Sequence, residues 1–398
     1  MQKIHELIKK LCPNGVEYKN IQELCKISRG KVMSKDFIKS NAGEYPVYSS
    51  QTENNGELGK ISTYDFDGEY LTWTTDGANA GSVFYRKGKF SVTNVCGLLE
   101  IKSKVMITKF LYYVLSIEAP KYVNAGMGNP KLMSNVMAKI RVAVPPLEVQ
   151  CEIVHILDDF TELSAELSAE LKARQKQYEY YMDKIFNNAT QTKMVKLSNV
   201  LVSLKTGLNP RKFFQLNTPD ANGYYVTVRE LGDRNVRYWE SKDRINQIGL
   251  SRINERSNLE INDVLFSGTG TIGRVSIIEE KPEDWNVKEG VYILKPKIDL
   301  INPVFLMYLM KSNYMRNIYS NYIVGSPVSS VPMKDLKNVE FDLPSIEEQE
   351  KIVRILDRFD QLCTDISEGL PAEIEARQKQ YEYYRDKLLT FKELKVNE

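Results

Sequence analysis

Ala173-Arg174-Gln175-Lys176-Gln177-Tyr178-Glu179-Tyr180-Tyr181 and Ala376-Arg377-Gln378-Lys379-Gln380-Tyr381-Glu382-Tyr383-Tyr384 are the same nine letters. Each copy continues in kind, as Met182-Asp183-Lys184-Ile185-Phe186 and as Arg385-Asp386-Lys387-Leu388-Leu389. Identity of that length in a chain of 398 residues signals a doubled architecture. The repeat also extends backwards. Gln150, Ile153, Val154, Ile156, Leu157, Asp158 and Phe160 match Gln349, Ile352, Val353, Ile355, Leu356, Asp357 and Phe359. The second copy carries four extra residues between its two matching blocks, and Gly369 and Pro371 lie in that region.

Both copies read as helix. Ile374, Arg377, Tyr381, Tyr384 and Leu388 recur at alternating steps of three and four, as do Leu167, Leu171, Arg174, Tyr178, Tyr181 and Ile185. The stripe is narrow, as in a coiled-coil seam, so each helix is expected to bury it against the other. An unbroken first helix over 147–186 would be roughly 60 Å long at ~1.5 Å per residue. In the second copy Glu368-Gly369-Leu370-Pro371 predicts a break, since glycine ends helices and proline starts them.

The chain between the helical blocks is strand-rich. After a short amphipathic helix over 1–11, the pattern from 16 to 144 is of short strands with one helix, at 108–116. The same pattern returns over 193–342. Residues 74–83 align with 266–275, and Phe110-Leu111-Tyr112-Tyr113 with Phe305-Leu306-Met307-Tyr308. The expected order is a first strand-rich domain over 1–145, a helical spacer over 146–188, a second strand-rich domain over 189–343 and a second spacer over 344–398. The fold class is α+β. The helices match far better than the strand-rich modules, which suggests two different readers on one duplicated scaffold.

Composition bounds the function. Apolar content of 42% supports real cores, and a net charge of +2 excludes a polycation. No long apolar run or leader is visible, so a soluble cytoplasmic protein without membrane contact is expected. The five cysteines lie far apart and the only histidines are His5 and His155, which argues against zinc. Gly268-Thr269-Gly270-Thr271-Ile272-Gly273 fits a dinucleotide fingerprint, but strand rather than helix follows it, so a tight turn between strands is expected. The matching loop at 76–81 reads as lacking the middle glycine. Asn302-Pro303-Val304-Phe305 lacks the second proline of the amino-methyltransferase signature and reads as a helix start. Glu100-Ile101-Lys102 has no counterpart in the second half. The chain is expected to carry no catalytic, metal or cofactor residue of its own.

The remaining signal is nucleic-acid binding. Eight of 17 arginines fall between Arg211 and Arg274. Arginine binds phosphates and grips guanine by two hydrogen bonds. Candidate DNA contacts in the second domain are Arg229, Arg234, Arg237, Thr269, Thr271, Arg274, Ser329 and Ser330. In the first they are Tyr48, Ser49, Ser50, Gln51, Thr75, Asn79, Arg86 and Lys131. Interleaved acids (Glu230, Asp233, Glu240, Asp243) leave open a merely solvated face around the arginines.

The domain-helix-domain-helix order, the Glu-x-Gln…Ile-Val…Ile-Leu-Asp opening of the helical blocks, the repeated nine letters and the glycine turns together resemble the DNA-specificity subunit of Type I restriction-modification enzymes. The resemblance implies two target-recognition domains, each reading one half of a split duplex sequence. It implies an antiparallel helical rod that sets the gap. It also implies two adenine-methylating subunits docked around that rod, and motor-nuclease subunits that join them. S-adenosylmethionine, ATP and Mg would then belong to partner subunits. The seam residues named above would form the rod and partner interface. Two alternatives stay open: the specificity part of a restriction-methylation enzyme of another type, and a helical adaptor that binds only proteins.

The first helix also contains Leu163-Ser164-Ala165-Glu166-Leu167-Ser168-Ala169-Glu170-Leu171, a four-residue repeat. Its count is expected to tune the gap between half-sites.

Overall fold

The computed structural model describes residues 2–124, 128–188, 192–232, 234–364 and 369–394. The chain divides into two compact units: residues 1–166 with 375–398, and residues 167–374.

In the first unit a six-stranded sheet is built from Cys25–Arg29, Ala42–Tyr48, Glu57–Ile61, Phe66–Thr74, Val83–Val92 and Cys96–Ile101. Phe66–Thr74 pairs antiparallel with both Val83–Val92 and Cys96–Ile101, so its Leu71 and Trp73 are fully buried. The helix Thr108–Glu118 covers this core with Phe110, Leu111, Val114 and Leu115. A two-stranded ribbon, Glu17–Asn20 against Arg141–Val144, leads into the spacer helix.

The second unit repeats the plan with different strands. Leu201–Thr206, Val291–Pro296, Val264–Ser267 and Val275–Ile277 form a four-stranded sheet in that spatial order. The helix Pro303–Lys311 covers it and is buried along Phe305-Leu306-Met307-Tyr308-Leu309-Met310. A ribbon of Lys193–Lys196 against Glu340–Leu343 again precedes the spacer. Asn302 caps the covering helix, its side chain accepting from the Val304 and Phe305 amides at 2.9 and 3.1 Å. That use satisfies two orphan helix donors, which is the helix-start reading of this sequence.

The first spacer is one helix, Leu147–Asn187. The second is two, Ile346–Thr364 and Leu370–Leu389, with Pro371 in the first turn of the latter. Residues 365–368 of the expected break lie outside the described residues.

The two spacers run antiparallel within each unit. In the first unit Phe160 stacks on Tyr384 at 5.7 Å and meets Tyr381 at 6.5 Å. In the second Phe359 stacks on Tyr181 at 5.8 Å and meets Tyr178 at 6.3 Å. Each repeat thus supplies a phenylalanine to the other repeat's tyrosine pair. Aromatic pairs of this kind add about 0.5–1.5 kcal/mol beyond their buried area.

The seam differs from a free coiled coil in two ways. First, its ends sink into the domain cores. Leu388 packs with Ile153 and Leu157 under the first sheet, and Met182, Phe186 and partly buried Ile185 pack with Ile352 and Leu356 under the second. Second, Arg174 and Arg377 do not bridge helices by the bonds they make to Gln177 and Gln380, each 3.2 Å along the same helix. Leu167 is buried, and Leu171 and Ile374 are half-buried.

A repeated glutamine fastens spacer to domain in each half. Gln150 is fully buried. It accepts from the Ile107 amide at 2.9 Å and donates to the Val105 and Pro145 carbonyls, each at 2.7 Å. Gln349 repeats the pattern with the Asn302 amide at 2.8 Å, Leu300 O at 3.2 Å and Pro344 O at 2.9 Å. These backbone groups sit in irregular segments with no strand partner, so the side chain stands in for one.

Candidate nucleic-acid interface

Both glycine turns are hairpin ends. Residues 268–273 join the antiparallel strands Val264–Ser267 and Val275–Ile277, which rules out the helix a dinucleotide site needs. Gly270 and Gly273 have φ of +77° and +95°, and Gly77 and Gly81 have +96° and +85°. The Gly77 amide donates to Pro130 O at 3.0 Å, and the Gly270 amide to Ser329 O at 2.8 Å. Gly77 is therefore the structural counterpart of Gly270, and the first loop does have its middle glycine. The sequence alignment hid it because the first loop is one residue longer after that point.

In each half the turn is stitched to a later loop. Asp76 bridges Lys131 and the Leu132 amide donates to Thr75 O; Thr269 bridges Ser330 and the Val331 amide donates to Gly268 O. The carbonyls that follow are held by buried aromatics, Leu132 O by the Trp73 indole at 3.0 Å and Val331 O by the Tyr292 hydroxyl at 2.8 Å. Asn79 Nδ2 donates to Thr52 Oγ1 at 2.9 Å, which draws in the loop after Tyr48. The fold thus gathers Ser49, Ser50, Gln51, Asn79 and Lys131 in the first unit, and Thr269, Thr271, Ser329 and Ser330 in the second. Residues 125–127 of the first later loop lie outside the described residues.

Three sequence candidates are turned inward. Thr75 is 1% exposed and donates to Val95 O at 2.8 Å. Arg86 is 2% exposed; its Nε donates to Thr72 Oγ1 at 3.1 Å, and its guanidinium lies 3.6 Å over the Tyr48 ring, which also pins Tyr48. Burial pulls the Arg86 pKa below that of an ordinary arginine, and the ring faces of Tyr48 and Phe84 offset only part of that cost. Gln51 Nε2 donates to Glu57 O and Ser49 Oγ accepts from Thr93, so both side chains shape their own loop.

Arg234 is the third. It donates to Asp357 at 2.6 Å, to Glu279 at 2.8 Å and to the Tyr308 hydroxyl at 3.3 Å. Tyr308 in turn donates to Asp357 at 2.7 Å. The first unit has the same device with lysine: Lys109 and Tyr113 both bond Asp158, at 2.6 and 2.5 Å. Desolvation works against the Arg234 charge, but Asp357 and Glu279 outweigh it and raise its pKa. Arg234 is a structural clamp on the spacer repeat. Arg234→Ala is expected to destabilise the second unit by about 1–3 kcal/mol, since it leaves Asp357 without its counter-charge and with only the Tyr308 hydroxyl. Chemical denaturation of the variant checks it.

The exposed arginines converge. Arg237 and Arg274 line a cleft of about 620 Å³ with Arg316, Gln175, Tyr178 and Gly273. Arg274 Nη1 reaches Val228 O and Arg229 O at 3.3 and 3.4 Å, placing exposed Arg229 beside it. Arg316 was not legible as a candidate. It is a lone basic residue on the helix Asn313–Ser320, and only the fold brings it to the glycine turn.

Two strand-rich units with paired glycine turns, each clamped to a repeated spacer helix, define a two-module recognition scaffold. The model for the Type I restriction modification DNA specificity domain matches twice, over residues 13–174 and 191–376. The chain belongs to this family. The Mycoplasma pneumoniae protein S.MpnORF507P, named as a type I specificity subunit, is 36% identical over 92% of this chain and 96% of its own length. The specificity subunit of the M. pneumoniae type I restriction enzyme MpnII is 45% identical over 49% of this chain and 61% of its own. Among solved structures, the specificity subunit of M. genitalium covers 94% of this chain and 96% of its own, with a TM-score of 0.55 at 15% identity. A chain from a study of type I complex assembly and conformational transition covers 95% and 98%, with a TM-score of 0.63 at 15% identity.

Proposed function

We propose that this chain is the non-catalytic sequence reader of a Type I restriction-modification enzyme. Each recognition domain reads one half of a bipartite duplex site through the stitched loops around its glycine turn. The spacer helices set the gap and dock two copies of one adenine-N6 methyltransferase subunit. That assembly recruits motor-nuclease subunits in the cytoplasm, and S-adenosylmethionine, ATP and Mg act within the partners.

One observation carries the docking part of this reading. In the first repeat block, apart from Glu148 and Glu347, the positions exposed in both copies differ: Cys151 against Glu350, His155 against Arg354, Asp159 against Arg358. In the second block the exposed positions are the same: Gln175 and Gln378, Lys176 and Lys379, Glu179 and Glu382, Tyr180 and Tyr383, Lys184 and Lys387. Folding does not require identity on a solvated face. Tyr180 and Tyr383 are 61% and 60% exposed, large aromatics with no core to serve. A face kept identical twice fits one partner surface bound twice, with tyrosine as its anchor. Tyr180→Ala or Tyr383→Ala is expected to weaken binding of one methyltransferase copy by about 2 kcal/mol, roughly 30-fold. Titration calorimetry would show two unequal sites in either single variant. Two equal, unweakened sites would count against this epitope.

The deciding experiment is single-molecule sequencing of adenine methylation in cells that co-express this chain and its methylating partner. Two short half-sites with a fixed unspecified gap are expected. A continuous motif, or no methylation despite a stable complex, would defeat the two-reader model.

A further inference from the structure

We infer that the cleft of the second unit is a seat for a DNA backbone phosphate, with Arg274 and Arg316 as its ligands and the spacer helix as its far wall. The inference rests on the DNA-reading function proposed above, and it assigns Arg316 and the cleft a role that the loops alone do not have.

The argument starts from how this domain disposes of its arginines. Arg234 is neutralised by Asp357 and Glu279, Arg237 faces Glu240 at 3.4 Å, and Arg244 lies 3.8 Å over the Tyr224 ring. Arg229, Arg252 and Arg256 are exposed without an ion pair among the described residues, but only Arg274 and Arg316 of the unpaired arginines line the cleft. Both are exposed at the cleft, and among the described residues neither has a carboxylate within ion-pair distance. Both are nevertheless positioned by neutral groups. Arg274 leans on two backbone carbonyls, and Arg316 borders the hydroxyl of buried Tyr319. Neutral anchors hold a guanidinium in place without cancelling its charge.

Gly273 brings the two together. A Cβ there would lie 2.6 Å from the Tyr319 hydroxyl and 3.6 Å from Arg316 Nη2. Only glycine lets the turn settle against that helix and set Arg274 near Arg316. Glu179 and Asp360 also line the recess, but its cations, Arg237, Arg274, Lys311 and Arg316, outnumber them, so the recess is net positive and low-dielectric walls concentrate its field. The recess lies beside the loop rather than at its exposed tip, Thr271. A recess beside the reading loop suits a protruding phosphate better than a base edge. Phosphate contacts position the protein and carry no sequence information directly.

The test uses the complex of this chain with its methyltransferase partner, and two fluorescent duplexes of equal length. One carries the motif found by methylation sequencing and the other a scrambled version. Affinities are measured by anisotropy across a series of KCl concentrations. Arg274→Gln with Arg316→Gln is expected to weaken both duplexes by the same factor. Loss of that one phosphate contact should make the salt slope shallower by about 0.9. The preference for the cognate duplex and the methylated motif should not change. Arg274→Lys with Arg316→Lys should restore the slope, because charge rather than shape is required. An unchanged slope would overturn the proposal, as would a lost cognate preference at constant slope, which would mean base contacts. If the double variant fails to assemble, Arg316→Gln alone decides, with an expected slope change in the same direction but below about 0.9, and an unchanged slope overturns the proposal. A wild-type complex that does not distinguish the duplexes would instead defeat the reading on which the proposal rests.

Discussion

Gln150→Met and Gln349→Met are each expected to cost about 3–5 kcal/mol in the unit that holds them. The substitution nearly preserves volume, so packing is not the main loss. What remains is one amide and two carbonyls, buried and without their partner: Ile107, Val105 and Pro145 in the first unit, Asn302, Leu300 and Pro344 in the second. Stranding a buried polar group costs about 1–3 kcal/mol, less where a carbonyl keeps part of its hydration. The two units hold separate glutamines, so the damage should be local. Hydrogen exchange read peptide by peptide would show loss of protection over 105–118 in one variant and over 300–311 in the other. Losses below about 1 kcal/mol, or equal loosening of both units in each variant, would remove the glutamine from this role.

Adding one Leu-Ser-Ala-Glu unit after Glu170 is expected to lengthen the recognised gap by one base pair and leave both half-sites unchanged. Four residues extend a helix by ~6 Å and turn it by roughly 40°. One base pair rotates its neighbour by about 35°, given ~10–10.5 base pairs per turn. Its rise is ~3.4 Å, so the extra helix length is taken up by tilt. The repeat keeps its leucines every four residues, so the insertion preserves the apolar register of Leu163, Leu167 and Leu171. The readout is the methylated motif of the variant. An unchanged gap would show that this helix is not the ruler.

Much of the architecture was legible in the letters because duplication leaves identical letters behind. Helix periodicity located the long spacer to within a residue or two of Leu147–Asn187. Gly369-Leu370-Pro371 pointed to two helices in the second block, and Asn302-Pro303 marked the start of a covering helix. The seam tyrosines were identified, but their partners were not. Phe160 and Phe359 were visible only as matching letters, since periodicity gives the face of a helix and not what lies across from it.

The candidate interface was less legible, for a physical reason. Arg234 and Arg274 both lie in loops of the second domain, yet one is clamped by Asp357 and Glu279 and the other faces a cleft. Nothing local distinguishes them, because the carboxylates that decide it come from 45 and 123 residues away. Arg86 and Thr75 read as loop contacts and are buried, because Arg86 lies inside the strand Val83–Val92 and Thr75 directly follows Phe66–Thr74, and the fold turns both inward. Gly77 was passed over for want of one residue of alignment, whereas its positive φ and its bond to Pro130 O leave no ambiguity.

By itself, then, the sequence determined that this protein is doubled, α+β, and built around two repeated helices, because periodicity and repetition are properties of the chain alone. Only the tertiary structure decided which core each spacer segment joins, which arginines keep their charge, and which loops meet. Those outcomes depend on contacts between residues far apart in sequence. Burial and the position of counter-charges, rather than residue type, set what each side chain can do.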